Sequence, residues 1–279
     1  MVRWNIGKTL GKPGGFGQVY EATSSDNKKG ALKKLHNPND VNKQRFEREI
    51  KILQTLKHKH IIDIYEWNLN GQPPAVVGPY YIMEYMAGGD LRGKMNEIFH
   101  KQNKLFSQKW TLEKIIFPIT EALELAHSQK TYHRDLKPEN LLFTTIAHDH
   151  LKVADWGLGK DINKESLALT AAAGGVGGTA GYCSPEQWFY NDIVDGRTDI
   201  YSLGVIFYEM MTGQLPTVYN NSGQTFNIPV PSSLKHPSIS KELDNVIMKM
   251  MAFDVSNRYQ TISEVKVALI PIYKSMLKP

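Results

Sequence analysis

Tyr132-His133-Arg134-Asp135-Leu136-Lys137-Pro138-Glu139-Asn140 packs a carboxylate, an ammonium and an amide into one short stretch. Asp135 can accept a hydrogen bond from an attacking hydroxyl, Lys137 can neutralise a γ-phosphate, and Asn140 offers an amide oxygen to a metal ion. Phosphoryl transfer needs this set, because its catalysis is mostly positioning and neutralisation of phosphate charge. A loop with only a structural task has no use for the combination.

Asp155-Trp156-Gly157 follows Asn140 after fifteen residues, a gap that fits a short hairpin. Magnesium prefers carboxylate oxygen, so Asp155 and Asn140 form the candidate metal pair. An isolated Asp-aromatic-Gly means little, and its place after the Asp135 string gives it weight. Upstream, Ala31-Leu32-Lys33 reads as a strand, and Glu49 falls on the next helix. A strand lysine held by a carboxylate can pair with the α and β phosphates. Lys34 points to the other strand face and is given no role. Gly11-Lys12-Pro13-Gly14-Gly15-Phe16-Gly17-Gln18-Val19 is a glycine-rich turn able to press its backbone against phosphates. Such turns are common in plain hairpins. No helix follows it, which excludes a dinucleotide-binding or Walker-type loop.

The elements that must position these residues fall into two kinds. Leu10–Ala22 reads as strand, turn and strand, Gly30–Leu35 as a strand, and Tyr80–Met86 as an apolar strand. Val41–Leu56 reads as a helix with Phe46, Ile50 and Leu53 at helical spacing, capped by Asn39 or Asp40. After Asp90 the pattern is helical: Leu112–Ser128, Arg197–Thr212, Lys241–Phe253 and Ile262–Leu269. Arg197–Thr212 is apolar nearly all round, which predicts a buried helix. Asn68–Pro79 and Ala171–Gly178 carry too much glycine, or glycine with proline, for either. Strands followed by helices predict an α+β chain: a small sheet-rich lobe, then a larger helical lobe, with the ligand in the crevice between.

The 279 residues suffice for such a pair of lobes. Residues 28–59 hold ten Lys or Arg against three acids. Apart from Phe46 on the apolar side of the helix, no aromatic interleaves there as a stacking platform, so a solvated face is favoured over a nucleic-acid site. No apolar run is long enough to span a membrane, and the first residues lack a signal-peptide core. The single cysteine, Cys183, cannot form an internal disulfide, which suits a reducing, cytoplasmic setting.

Taken in order, these motifs resemble the eukaryotic-type protein-kinase family, serine/threonine branch, from Leu10 to about Leu269. The resemblance implies a bilobal kinase domain over residues 1–279. Its parts are an antiparallel sheet lobe with one helix (1–84), a hinge (85–90), a mainly helical lobe (91–279) and an activation segment (155–186). It implies transfer of the γ-phosphoryl group of Mg-ATP, with manganese as a substitute, to serine or threonine of a protein substrate. No nucleic-acid partner is expected.

By the same resemblance, Met83 is the gatekeeper, the backbone of Glu84 and Met86 meets adenine, and Val19, Ala31 and Leu142 sandwich the ring. Asp90 is expected near ribose. Gly11, Gly14, Gly15, Phe16 and Gly17 cover the phosphates. Asp199 anchors the catalytic loop, Glu186 of Ser184-Pro185-Glu186 pairs with Arg258, and Thr179 helps align Asp135 and Lys137. Arg134, Arg45 and Lys160 resemble partners for a phosphate on the activation segment, with Thr170 or Ser166 as the residue autophosphorylated. Two departures stand out. Gly11 lies one residue further from Gly14 than usual, with Pro13 between, predicting a longer and stiffer turn. The family's Phe is Trp156, which must stack between His133 and Leu53. A pseudokinase scaffold is the alternative, and it usually lacks one of Lys33, Asp135 or Asp155. A small-molecule kinase would lack the docking segment Thr179–Glu186.

Overall fold

In the computed structural model, which describes residues 3–14, 17–36, 38–69, 78–157, 181–188, 194–216, 236 and 238–278, three strands come first. They are β1 (Trp4–Gly14), β2 (Gly17–Ser24) and β3 (Lys29–Leu35). With β4 (Ile64–Asn68) and β5 (Tyr80–Glu84) they form an antiparallel sheet in the order β1-β2-β3-β5-β4. The register sets Ala31 opposite Met83 and Lys33 opposite both Val19 and Tyr81. Gly30 is a close-packing point: a Cβ there would lie 2.9 Å from the Trp4 ring.

One sheet face carries a small apolar cluster of Trp4, Ala22, Leu32, Tyr80 and Ile82. The other meets α1 (Asp40–Thr55). Asn39 is its cap, Oδ1 accepting from the Asn42 N–H at 2.8 Å. Phe46, Glu49, Ile50 and Leu53 form its buried stripe, and the Phe46 and Tyr81 rings lie 5.2 Å apart.

The helical half begins with α2 (Leu91–Asn96). Then α3 (Gln108–Thr111) and α4 (Phe117–Ser128) run as one rod through a wider turn at Leu112–Ile116. Phe117 N–H reaches back five residues to the Leu112 carbonyl just before Pro118, which has no N–H to give. A short turn, Pro138–Asn140, leads into the hairpin β6 (Leu141–Phe143) and β7 (Leu151–Val153). Among the described residues there follow α5 (Pro185–Trp188), α6 (Gly196–Thr212), α7 (Lys241–Met250) and α8 (Ile262–Ser275). As expected from its composition, every residue of α6 from Thr198 on is buried.

Several boundaries differ from the sequence expectation. β1 starts at Trp4 and β5 stops at Glu84, and β4 and α2 went unread. The rod begins at Gln108 rather than Leu112, α7 stops at Met250, and α8 continues through Pro271 to Ser275. Pro271 forfeits the bond to Val267, but Val267 is 67 % exposed, so water can take the freed carbonyl.

Most of the core is one cluster running from α1 and the inner sheet face through α4 to α6 and α8. The two halves also meet along the backbone. Ile61 bridges Val153 in parallel sense, Ile62 N–H donates to the Val153 carbonyl at 3.0 Å, and Val153 N–H to the His60 carbonyl at 2.8 Å.

Candidate active site

The segment carrying Asp135 is held from below by α6. Asp199, fully buried, accepts the backbone N–H of His133 at 2.9 Å and of Arg134 at 2.7 Å, with His127 Nε2 2.8 Å away. Arg134 has φ 63°, a left-handed conformation that a non-glycine residue keeps only when its surroundings fix it. Asp199 supplies that fixation. Burial alone would raise its carboxyl, but the hydrogen bond and charge of His127 hold it below the ordinary aspartate value. His133 Nδ1 accepts from Asp135 N–H at 3.3 Å and Nε2 donates to the Ala154 carbonyl at 2.9 Å, which fixes one ring tautomer. On this platform Lys137 Nζ lies 2.8 Å from Asp135 Oδ2, and Asn140 Nδ2 donates to the Asp135 carbonyl at 2.9 Å.

Lys33 comes from β3 and Glu49 from α1. The Lys33 ammonium lies 2.8 and 2.9 Å from the two Glu49 oxygens and 3.0 Å from Asp155 Oδ1. Tyr81 OH donates to Glu49 Oε1 at 2.8 Å. Burial pulls the Lys33 ammonium down, but Asp155 and Glu49 outweigh it and leave it well above the ordinary lysine value. Burial raises Glu49, with Lys33 pulling back only in part. Asp155 is also pushed up by burial, but Lys33, then His133 and Lys137, bring it below the ordinary value. Asp155 too has a left-handed backbone, φ 62°. Trp156 is fully buried and meets His133 at 4.8 Å between ring centres, tilted 61°. The contact is edge-on, where the sequence predicted stacking, because its indole N–H turns to the Val153 carbonyl at 3.3 Å.

The arrangement therefore gathers Lys33, Glu49 and Asp155 into one contact set, and Asp135, Lys137 and Asn140 into another. The hairpin joins them: β6 starts after Asn140, β7 ends before Asp155, and Ala154 N–H donates to the Asn140 carbonyl at 2.9 Å. The donor set suits a hard cation. Asn140 spends its amide nitrogen on Asp135 and keeps an amide oxygen, while the Asp155 side chain is 40 % exposed. Among the described residues no group of three or more His, Cys, Asp or Glu could hold a metal by itself.

Ala31 and Met83 are buried on facing strands, with Val19 and Leu142 half-buried. Glu84 turns its carboxylate to the Asp63 N–H at 2.6 Å and to Lys152, and its own N–H donates to the Asp63 carbonyl. The Met86 carbonyl accepts from Gly89. Asp90 commits Oδ1 to the α2 cap, accepting from Gly93 N–H at 2.7 Å. In the glycine-rich turn the extra spacing is taken up within β1, as a shift in register between Leu10 and Gly14, while Gly14 still pairs with Gly17. The predicted longer turn is thus a bulge. Gly11 has φ 68°, and a Cβ on Gly17 would fall 2.4 Å from the Lys34 carbonyl oxygen. Arg134 Nη2 donates to the Val194 carbonyl at 2.9 Å, and Arg45 lies on α1 one turn before Glu49. Gly15, Phe16, Lys160, Ser166, Thr170 and Thr179 lie outside the described residues.

Glu186 and Arg258, expected partners, form a buried bidentate ion pair, Arg258 Nη1 and Nη2 donating to Glu186 Oε1 and Oε2 at 2.8 and 2.7 Å. The sequence reading missed His127 under Asp199, Gln187 donating to the Arg134 carbonyl at 2.8 Å, and Arg92. Each is a common polar residue outside any motif, so only the three-dimensional contact marks it.

The family model described as protein kinase domain matches residues 4–268. A serine/threonine-protein kinase PknB of Mycobacterium leprae is 35% identical over 237 residues, covering 82% of this chain and 36% of that protein. PknB of Mycobacterium tuberculosis is 34% identical over the same length. A probable serine/threonine-protein kinase of Streptomyces coelicolor, SCO3848, is 32% identical over 274 residues, 95% of this chain and 39% of that protein. The chain thus spans little more than a third of the length of these relatives.

Proposed function

This chain belongs to the protein kinase domain family, on its serine/threonine side, and from that premise we propose that it transfers the γ-phosphoryl group of ATP to serine or threonine hydroxyls of a protein substrate. The observation that carries the reading is the Lys33 ammonium between Glu49 and Asp155, joined through one hairpin to the Asp135–Lys137–Asn140 set.

Lys33, fixed by Glu49, binds the α and β phosphates as a charge that cannot wander. Asp135 orients the acceptor hydroxyl and takes its proton. Lys137, 2.8 Å from Asp135, neutralises charge gathering on the transferred group. Asn140 and Asp155 would hold magnesium, or manganese in its place, which would supply positive charge to offset that of the phosphates. Val19, Ala31, Met83 and Leu142 make the apolar walls for adenine, and the backbone of Glu84 and Met86 reads its edge. The glycine-rich turn covers the phosphates. Asp90 reaches ribose with the oxygen its cap leaves over. Phosphorylation at Thr170 or Ser166, received by Arg134, Arg45 and Lys160, is the regulation that goes with this reading. A reducing cytoplasmic location is consistent with the buried free thiol of Cys183. No helix among the described residues is long and apolar enough to cross a membrane.

The test is transfer of label from γ-labelled ATP to a generic protein substrate. Native protein should label it only when magnesium or manganese is supplied, and Asp135→Asn should lower the rate by about 1000-fold or more. Equal labelling by native protein and Asp135→Asn would refute the assignment.

A further inference from the structure

Away from the catalytic segment, α2, the start of α3 and the turn of the β6–β7 hairpin enclose a cavity of about 290 Å³. Ile98, Phe106 and Trp110 form its apolar wall. Phe99 backs them, its ring meeting Phe106 edge-on at 5.5 Å, and Phe106 stacks on Trp110 at 5.3 Å. All three rings also pack against the main core, so the wall is braced from behind and does not collapse into the space. The cavity is cationic at its mouth, where Lys94, Lys104 and His148 stand. Residues 94–109 hold four Lys against one acid, Glu97, and that acid is paired with Lys94 at 3.2 Å. Asp149, next to His148, accepts from the Thr145 hydroxyl at 2.7 Å. Lys104 forms no ion pair among the described residues.

Size and charge together define an occupant. Sites that enclose a drug-sized ligand measure about 300–1,000 Å³. A cavity at the bottom of that range takes one large apolar side chain. Apolar surface continues past the mouth: Leu105 is 38 % exposed and Ile146, beside Ala147 on the hairpin turn, is 80 % exposed. An extended peptide covers such a rim, and a small molecule lodged in the cavity does not. The ammonium groups favour a peptide with carboxylates beside its apolar residue and turn away a basic one. Burial of the apolar side chain supplies the affinity.

The placement suits a substrate. The cavity lies at the turn of the hairpin whose other end carries Asn140 and Asp155. Eight residues lead from Asn140 to His148, so at about 3.3 Å each the two are no more than roughly 26 Å apart. A substrate linker of about ten residues spans that distance and holds the acceptor at a high effective concentration.

We propose that the cavity between α2 and the β6–β7 turn docks an acidic segment of a protein substrate, one Leu- or Phe-sized side chain entering against Phe106 and Trp110 while carboxylates meet Lys104 and His148. That the docked protein is a substrate rests on the kinase reading above, whereas the binding does not.

The test uses fluorescein-labelled peptides rich in Glu and Asp with one Leu or Phe, read by anisotropy, beside counterparts with Gln and Asn in place of the acids. The acidic peptides should bind saturably and about 10-fold more tightly, a gap that narrows as salt is raised. Lys104→Glu should weaken them about 10-fold. Ala147→Phe, which sets a ring in the cavity mouth from an exposed position, should abolish binding. Neither change should alter label transfer to a short generic substrate. Joining the acidic segment to an acceptor peptide through a flexible linker should lower KM about 10-fold with kcat unchanged, in the native chain and not in Ala147→Phe. Equal affinity for acidic and amide peptides would overturn the proposal, as would binding that survives Ala147→Phe in a variant with native melting temperature. Self-association of the chain that Ala147→Phe abolishes would overturn it too, by making a second copy the occupant. Binding is read without catalysis, so the two readings fail apart. Label transfer without peptide binding removes the docking site alone, and peptide binding without label transfer removes the kinase reading.

Discussion

At the scale of single residues, the site depends on charges placed where water is scarce. Glu49 is 3 % exposed, and its carboxylate is what keeps the Lys33 ammonium on the inner sheet face. Glu49→Gln keeps the shape and removes the charge, leaving Lys33 to swing toward Asp155. We expect phosphoryl transfer to fall by about 100-fold, the usual cost of misplacing a reacting group by an ångström, with little change in melting temperature. Steady-state kinetics beside a thermal melt check both parts. Much of this scale was readable beforehand: Asp135, Lys137, Asn140, Asp155, Lys33 and Glu49 all stood out by type and spacing. What could not be read were contacts with no local signature. Nothing near His127 in the sequence says that it lies under Asp199, and nothing near Arg92 points to Glu209.

At the scale of elements, α6 is the platform, and its position depends on how closely α7 can approach. Gly204 marks the contact: a Cβ there would fall 2.8 Å from Met250 Cβ and 2.8 Å from Met251 Cγ. Alanine improves helix propensity by about 1 kcal/mol. The clash outweighs it, because Met250 Cβ is anchored to its helix and cannot rotate aside. Gly204→Ala should destabilise the fold by about 1–3 kcal/mol, measured by denaturant unfolding. An unchanged midpoint would show that α7 shifts freely. The buried character of α6 was legible because apolar residues surround it. The boundaries of its neighbours were not. The expected helix Leu112–Ser128 already ran through Pro118, while the one ending at Leu269 stopped short of Pro271. Pro118 is passed by a change in hydrogen-bond step, and Pro271 is tolerated because the carbonyl it frees faces water. β4 escaped notice because its five residues, mixed polar and aromatic, carry too short a pattern to read.

At the scale of the whole molecule, three structural carboxylates hold the large half to the site: Asp155, Glu186 and Asp199. Burial pushes each upward, but Lys33, Arg258 and His127 respectively bring each below its ordinary value. A carboxyl lowered on folding contributes stability above its unfolded value, about 3.9 for Asp and 4.3 for Glu, and loses it as pH falls through the folded value. Glu49 and Asp90, raised on folding by burial, work in the opposite sense. The melting temperature should thus hold nearly level from neutrality to about pH 5 and drop steeply below pH 4. A drop already complete at pH 5 would contradict the assignment. The two-part plan was legible in the order of strands and helices. The parallel rung of Ile61 on Val153 was not, since it pairs residues ninety-two positions apart.

That rung has a mechanical consequence. Among the described residues, backbone bonds tie the strand half to the helical half at His60 and Ile62 on Val153, Ala87 and Gly88 beyond β5 donate to Thr144 and Phe143, and Lys33 reaches Asp155. Leu151–Val153, which leads straight to Asp155, is thereby gripped from both sides, by Leu141–Phe143 in its hairpin and by His60 and Ile62. A tilt of the strand half would therefore reach Asp155 through its own backbone before any side chain moved.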